Sequence, residues 1–106
     1  MKAPIVITGH DEFFAAWAAK RLEHVGPIGF GACRAFGIAK GTGADDARLL
    51  ASVVFHDYQE RAQTIQISCA SESPMWAHPD TLRELLRYPF GDCKCFKVWV
   101  AIPITN

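Results

Sequence analysis

The chain has 106 residues, half of them hydrophobic, with 11 basic and 11 acidic side chains and a formal net charge of zero. That size suits one domain spanning residues 1–106, with a core that needs no disulfide staple. The charge balance gives no electrostatic ground for nucleic acid or an anionic membrane, and leaves little repulsion between copies.

The chain opens "MKAPIVITGHDEFF". Its apolar run is short and soon meets His10, Asp11 and Glu12, so it does not read as a secretory leader. No segment approaches the roughly 20 apolar residues that span a bilayer. A soluble, cytoplasmic protein is expected.

Residues 5–7 are a β-branched run and predict a first strand, which Gly9 breaks. His10 or Asp11 then caps a helix running to about Glu23. Phe13, Phe14, Trp17, Ala18 and Leu22 fall on adjoining helical rows, so its aromatic face is expected to lie on a sheet. A loop rich in Gly and Pro follows at residues 24–31. Residues 33–39 predict a strand that Gly37 weakens, and residues 40–47 ("KGTGADDA") a polar hairpin loop. Residues 49–56 predict the next strand, with Leu49, Ala51, Val53 and Phe55 on one face and Leu50, Ser52, Val54 and His56 on the other. Residues 57–63 return the chain. In the strand predicted at residues 64–70, Ile65, Ile67 and Cys69 alternate against Gln66 and Ser68.

The stretch "SESPMWAHPDTLRELLRYPF" leads from that strand into a short helix. Pro79 suits a first helical position, and Asp80 and Glu84 complement the helix dipole. Leu82, Leu85 and Leu86 predict the apolar face, and Pro89 and Gly91 predict the helix end. Residues 94–102 then form a strand apolar on both faces apart from its lysines, a pattern typical of covered, central strands.

Cys93 and Cys95 form C-x-C rather than paired C-x-x-C knuckles, and His10, His24, His56 and His78 show no H-x-x-x-H spacing. Buried or half-buried structural thiols, Cys33 and Cys69 included, are expected rather than a metal site. The predicted order is strand, helix, three antiparallel strands, helix, strand. The fold class is therefore α+β: a mixed, mainly antiparallel sheet with one βαβ crossover and two main helices packed on it.

Taken with that order, the strings "AAWAAKRL", "LLASVVFHDY", "TIQISCASESPMW", "LRYPF" and "VWVAIPITN" resemble the GNAT superfamily of acyl-CoA-dependent N-acyltransferases. They look most like its short phage and prophage members, which also implies the host cytoplasm. The likeness spans nearly the whole chain and covers the N-terminal two-thirds of a GNAT domain. It implies that acyl-CoA, acetyl-CoA for example, lies in a gap between the strands at residues 64–70 and 94–102. The pantetheine arm would pair with backbone around Ile67, Ser68, Cys69 and Ala70, with Trp76 lining the site. The pyrophosphate would rest on amides at the crossover-helix start.

Two departures stand out. A glycine-rich turn is usual there, whereas "MWAHPDTL" brings Trp76, Pro79 and Asp80, leaving Arg83 and Arg87 to compensate. The family's further helix and strands, which close the donor site, would follow Asn106. N-acyl transfer also needs a base for the amine. Gln66 stands at the natural position but takes no proton. His56, Asp57 or Tyr58 are left to act through water, and Ser68 and Cys69 show no activating partner in sequence. The apolar strand at residues 94–102 is expected to pair with its copy in a homodimer. The alternative is a phage-derived interaction or assembly protein that keeps the fold without catalysis.

Overall fold

The structure is a computed structural model that describes residues 4–22, 29–40, 48–73, 76–95 and 97–101. A five-stranded sheet carries the chain: β1 (Ile5–Ile7), β2 (Cys33–Lys40), β3 (Arg48–Gln59), β4 (Thr64–Ser71) and β5 (Lys97–Ala101), in that spatial order. The first four are antiparallel to their neighbours, and β5 runs parallel to β4. That last pairing requires a crossover, supplied by α2 (Pro79–Arg87). α1 (Asp11–Arg21) joins β1 to β2. The mixed, mainly antiparallel α+β class with one βαβ unit is as the sequence predicts. Residues 41–47 of the polar loop, residues 23–28, which hold most of the loop predicted at 24–31, residues 74–75, Phe96 and residues 102–106 lie outside the described residues.

Each face of the sheet has its own core. On one, Phe36, Ile38, Val53, Phe55, Ile65 and Ile67 meet Leu85 of α2. On the other, Ala35, Val54 and Ala70 meet Phe14, Ala18 and Leu22 at α1. The α1 side is lined by small sheet residues because the helix lies close. Gly37 shows how close: a Cβ there would overlap the Phe14 ring. The glycine that reads as a weak point in β2 is the seat of an aromatic side chain.

The start of α1 differs from expectation. His10 occupies the N-cap without a side-chain cap bond. Asp11 Oδ1 instead accepts the amide of Ala35 at 3.0 Å. Among the described residues β1 flanks β2 only at Gly37–Ala39, so the buried Ala35 amide beyond it needs another acceptor, and Asp11 provides one.

Two bulges correct the reading of β3, which extends to Gln59 rather than His56. The β2–β3 register steps from Ile38↔Ala51 to Ala39↔Leu49, leaving Leu50 as the extra residue. Because side chains alternate, the extra residue moves Leu49 off the Phe55 face, and it packs with the α1 cluster. A second shift falls between His56 and Gln59, where Asp57 takes a left-handed conformation, φ 53°.

Pro79 opens α2 as expected, and the His78 ring caps it by accepting the Asp80 amide at 3.1 Å. The buried row is Thr81 and Leu85, while Leu82 and Leu86 are exposed. Thr81 faces inward because its hydroxyl donates to the Pro4 carbonyl at 3.2 Å, tying α2 to the β1 end of the sheet. Pro89 and Gly91 do not end the helical path. They sit inside a π-helical turn, Tyr88–Asp92, closed by the Cys93 amide on the Tyr88 carbonyl at 2.9 Å. The wider turn accommodates a proline that lacks the donor an α-helix needs.

β5 is the sheet edge among the described residues rather than a covered central strand, with Trp99 55% and Val100 56% exposed. The described strand is shorter than the predicted 94–102, because Lys94 (φ 54°) belongs to the preceding turn.

Gly37→Ala is predicted to lower stability by about 1–3 kcal/mol, the usual cost of overpacking a filled core. Urea unfolding measures it, and Phe14→Leu in the same chain should recover part of the loss. Full stability in Gly37→Ala alone would contradict the close seat of α1.

Candidate functional site

The buried polar residues of the sheet, Ser52, His56 and Ser68, gather on its α1 face. His56 stands opposite Cys33 on β2 and Gln66 on β4, and Gln66 stands opposite Trp99 on β5. Ser68 lies one step diagonally from His56 on the same face. The diagonal is bridged: His56 Nε2 is 2.8 Å from Ser68 Oγ. On the ring's other side Nδ1 is 3.2 Å from Asp57 Oδ2. A carboxylate only accepts, so Nδ1 carries the proton toward Asp57, and in the neutral ring Nε2 accepts the Ser68 hydroxyl. The Phe30 ring lies against His56, with centroids 4.9 Å apart.

Asp57 reaches back to the preceding residue because of the bulge. Its left-handed backbone turns the carboxylate toward His56, a conformation that Asp tolerates better than most residues. Serine, histidine and aspartate thus form one hydrogen-bonded chain. Its chemical reach is limited by burial. Ser68 is only 1% exposed, so its hydroxyl meets no solvent and presents no open nucleophile. The chain is a rigid polar strut with its Asp57 end in water.

The other sequence candidates divide between the faces. Tyr58 sends its hydroxyl to the Cys93 carbonyl at 3.4 Å, on the α2 side, away from the His56–Ser68 bond. Its phenol is held above the usual range by local exclusion of water, then by Cys95, Glu60 and Cys93. Ile67, Cys69 and Trp76 pack on the α2 side. Ala70 belongs to the α1 cluster, and Ser68 bonds His56 on that side. The β4–β5 ladder runs from Thr64↔Lys97 to Ser68↔Ala101, so Cys69, Ala70 and Ser71 lie beyond its last described pair. Burial pushes the Cys69 thiol up from an ordinary 9.0 to about 12, which keeps it protonated and unreactive at neutral pH.

At the start of α2, Arg83 donates to Asp80 Oδ1 at 3.2 Å, so its guanidinium is already engaged, while Arg87 is exposed. Pro79 brings no N–H, and the Asp80 amide is taken by the His78 ring.

No family model matches the chain, and neither does any curated protein or solved structure. Among the described residues no helix is long and apolar enough to cross a membrane, and no group of three or more His, Cys, Asp or Glu is placed to hold a metal ion.

The Ser68–His56 bond escapes a reading of either strand alone. The register supplies it, because the β3–β4 hairpin sets Val54 opposite Ser68 and His56 opposite Gln66. Counting outward from the hairpin turn was the available signal, and the Asp57 bulge spoils that count by one.

Two serines on this face make a contrast. Ser52 Oγ is buried with no hydrogen-bond partner among the described residues. Ser68→Ala is predicted to cost about 1–3 kcal/mol, because it removes a buried hydrogen bond to His56, whereas Ser52→Ala is predicted to be neutral or to gain up to about 1 kcal/mol. Urea midpoints decide between them, and equal effects would contradict the bonding assigned to Ser68.

A second prediction concerns alkali. The unfolded Cys69 thiol ionises near its ordinary 9.0, whereas the folded thiol stays protonated to about 12. Its contribution to stability is therefore intact below pH 9 and is lost as the pH rises through that window. Cys33, Cys95 and Tyr88 are raised as well, chiefly by burial, and act in the same direction. Melting temperature should fall above pH 9, less steeply in Cys69→Ala. Identical slopes in the two proteins would exclude the role given to Cys69.

Proposed function

We propose that this chain is a GNAT-like domain of the acyl-CoA-dependent N-acyltransferase type, with β4, α2 and β5 on the acyl-donor side. The order of the sheet carries the proposal: an antiparallel meander followed by one parallel strand after a crossover helix. This is the arrangement that the sequence resemblance implies. An extended pantetheine arm would add to β4 past Ser68, at Cys69–Ser71, by strand-like backbone pairing.

The start of α2 does not fit the donor's pyrophosphate. A helix start binds anions through free amides and a positive dipole end. Here one donor is absent at Pro79, the next is held by His78, and the Asp80 carboxylate adds like charge. Arg83 is tied to that carboxylate. The seat therefore gives the pyrophosphate little hold, and binding of acyl-CoA is expected to be weak.

A second reading rests on a separate observation, the exposed Trp99 and Val100 on an edge strand. Apolar edges pair with other strands. In this reading the domain is a non-catalytic assembly module that forms a homodimer through β5.

Calorimetry with acetyl-CoA tests the first reading. Sub-millimolar binding is expected, tightened several-fold in Asp80→Asn because the carboxylate no longer opposes the anion. Silence at millimolar acetyl-CoA in both proteins would overturn it. A dimer mass by light scattering, lost in Val100→Lys, would then favour the assembly module.

A further inference from the structure

The sequence Cys93-Lys94-Cys95 places two thiols one residue apart, just after the π-helical turn. The turn's hydrogen bonds set their positions. The Cys93 amide is held by the Tyr88 carbonyl at 2.9 Å, and the Cys95 amide by the Pro89 carbonyl at 2.8 Å. Between them Lys94 is left-handed, φ 54°, so the backbone folds back instead of extending. Folding at the middle residue brings the flanking Cα atoms into the range a disulfide spans, roughly 4.4–6.8 Å.

Both side chains also turn to the same side. Cys95 is buried in the cluster of Phe55, Ile65 and Leu85, and Cys93 packs half-buried at its border. After burial itself, the nearby Cys93 is what raises the Cys95 thiol. The Tyr88 phenol is raised first by burial and then by the neighbouring Cys93, so it stays protonated beside that thiol.

We propose that Cys93 and Cys95 are a thiol–disulfide redox pair at the entrance to β5. Cys93, the more accessible sulfur, is the attacking group. The oxidant is a small disulfide of the glutathione class. Cys93 gives up its proton, bonds to one sulfur of the oxidant and releases the other as a thiolate. Cys95 then gives up its proton, attacks the Cys93 sulfur and releases the second thiolate. Two protein thiols are oxidised, one small disulfide is reduced to two thiols, and the two protons pass to the released thiolates.

The bond draws the Cys95 sulfur out of its apolar cluster. It also strains the Cys95 amide's bond to Pro89 and the Tyr58 contact to the Cys93 carbonyl, so oxidation loosens the lead into β5. The pair stands independently of any acyl-CoA reading.

The test uses the full chain equilibrated in glutathione buffers of graded poise, acid-quenched, alkylated and cut with trypsin. Cleavage after Arg87, Lys94 and Lys97 separates peptides 88–94 and 95–97, which a Cys93–Cys95 disulfide holds together. The linked pair should rise with oxidised glutathione and vanish in Cys93→Ser and Cys95→Ser, while Cys33 and Cys69 remain alkylated. In Cys95→Ser, Cys93 should carry glutathione as a mixed disulfide. Oxidation should also speed hydrogen exchange at the Cys95 amide at least tenfold. Separate, alkylated peptides at every poise would overturn the proposal. So would a link mapping to Cys33 or Cys69, or a wild-type chain that stops at the mixed disulfide.

Discussion

A single aromatic ring sets how the two faces of this sheet are built. Phe14 rests on the bare backbone of Gly37, which brings α1 down onto β2. At that distance only small side chains fit beneath the helix, and Ala18, Ala35 and Ala70 occupy its core. The opposite face has no such close approach. Its residues are large: Phe36 packs edge-on against Phe55 and Tyr88, and Phe55 and Tyr88 meet tilted, with centroids 5.0–5.6 Å apart. The asymmetry also locates the buried polarity. Ser52 and Ser68 stand on the α1 face, where little volume is available, and each hydroxyl there must find a partner or bear the cost of having none.

That cost explains the shape of the β3–β4 hairpin. His56 satisfies Ser68, but its second nitrogen also needs a partner. The left-handed Asp57 supplies one from the next position in the chain. A regular hairpin would have pointed residue 57 to the other face, away from the ring. The bulge is thus a local distortion that completes a buried hydrogen-bond chain. The same distortion sends Tyr58 toward Cys93, linking the end of β3 to the π-helical turn. Polar satisfaction on one face and the approach to β5 on the other are joined through two adjacent residues.

What could be read from the sequence follows from what each signal needs. The alternation in β4 and the helical rows of α1 are local, and both elements form close to where predicted, but Phe13 is 55% exposed and of the aromatic side chains expected on that face only Phe14 is buried. Pro79 marks a helix start because the physics involved is confined to one turn. The face taken by Leu49 is not local, because the bulge at Leu50 depends on pairing with β2, which no window along β3 contains. Leu82 and Leu86 read as core by hydrophobicity, yet both are exposed. Thr81 displaced them because its hydroxyl reaches Pro4, 77 residues away in the chain. In the candidate site, His56 and Asp57 were visible as residue types. Their link to Ser68 required the register, and so the site appeared in sequence as unpartnered groups.

The start of α2 brings scaffold and chemistry into opposition. The parallel β4–β5 pair forces a crossover, and a crossover helix presents its positive end near the tip of the strand it leaves. That end attracts an anion whether or not one is wanted. Here the chain meets the demand from within: the His78 ring accepts the Asp80 amide, and the Asp80 carboxylate supplies negative charge. Arg83 then balances that carboxylate. A helix start neutralised by its own first turn gains little from an external phosphate, because a ligand must displace interactions of the same kind. Topology alone would suggest an anion seat at this position. The side chains have already filled it, and three residues, His78, Pro79 and Asp80, account for the difference.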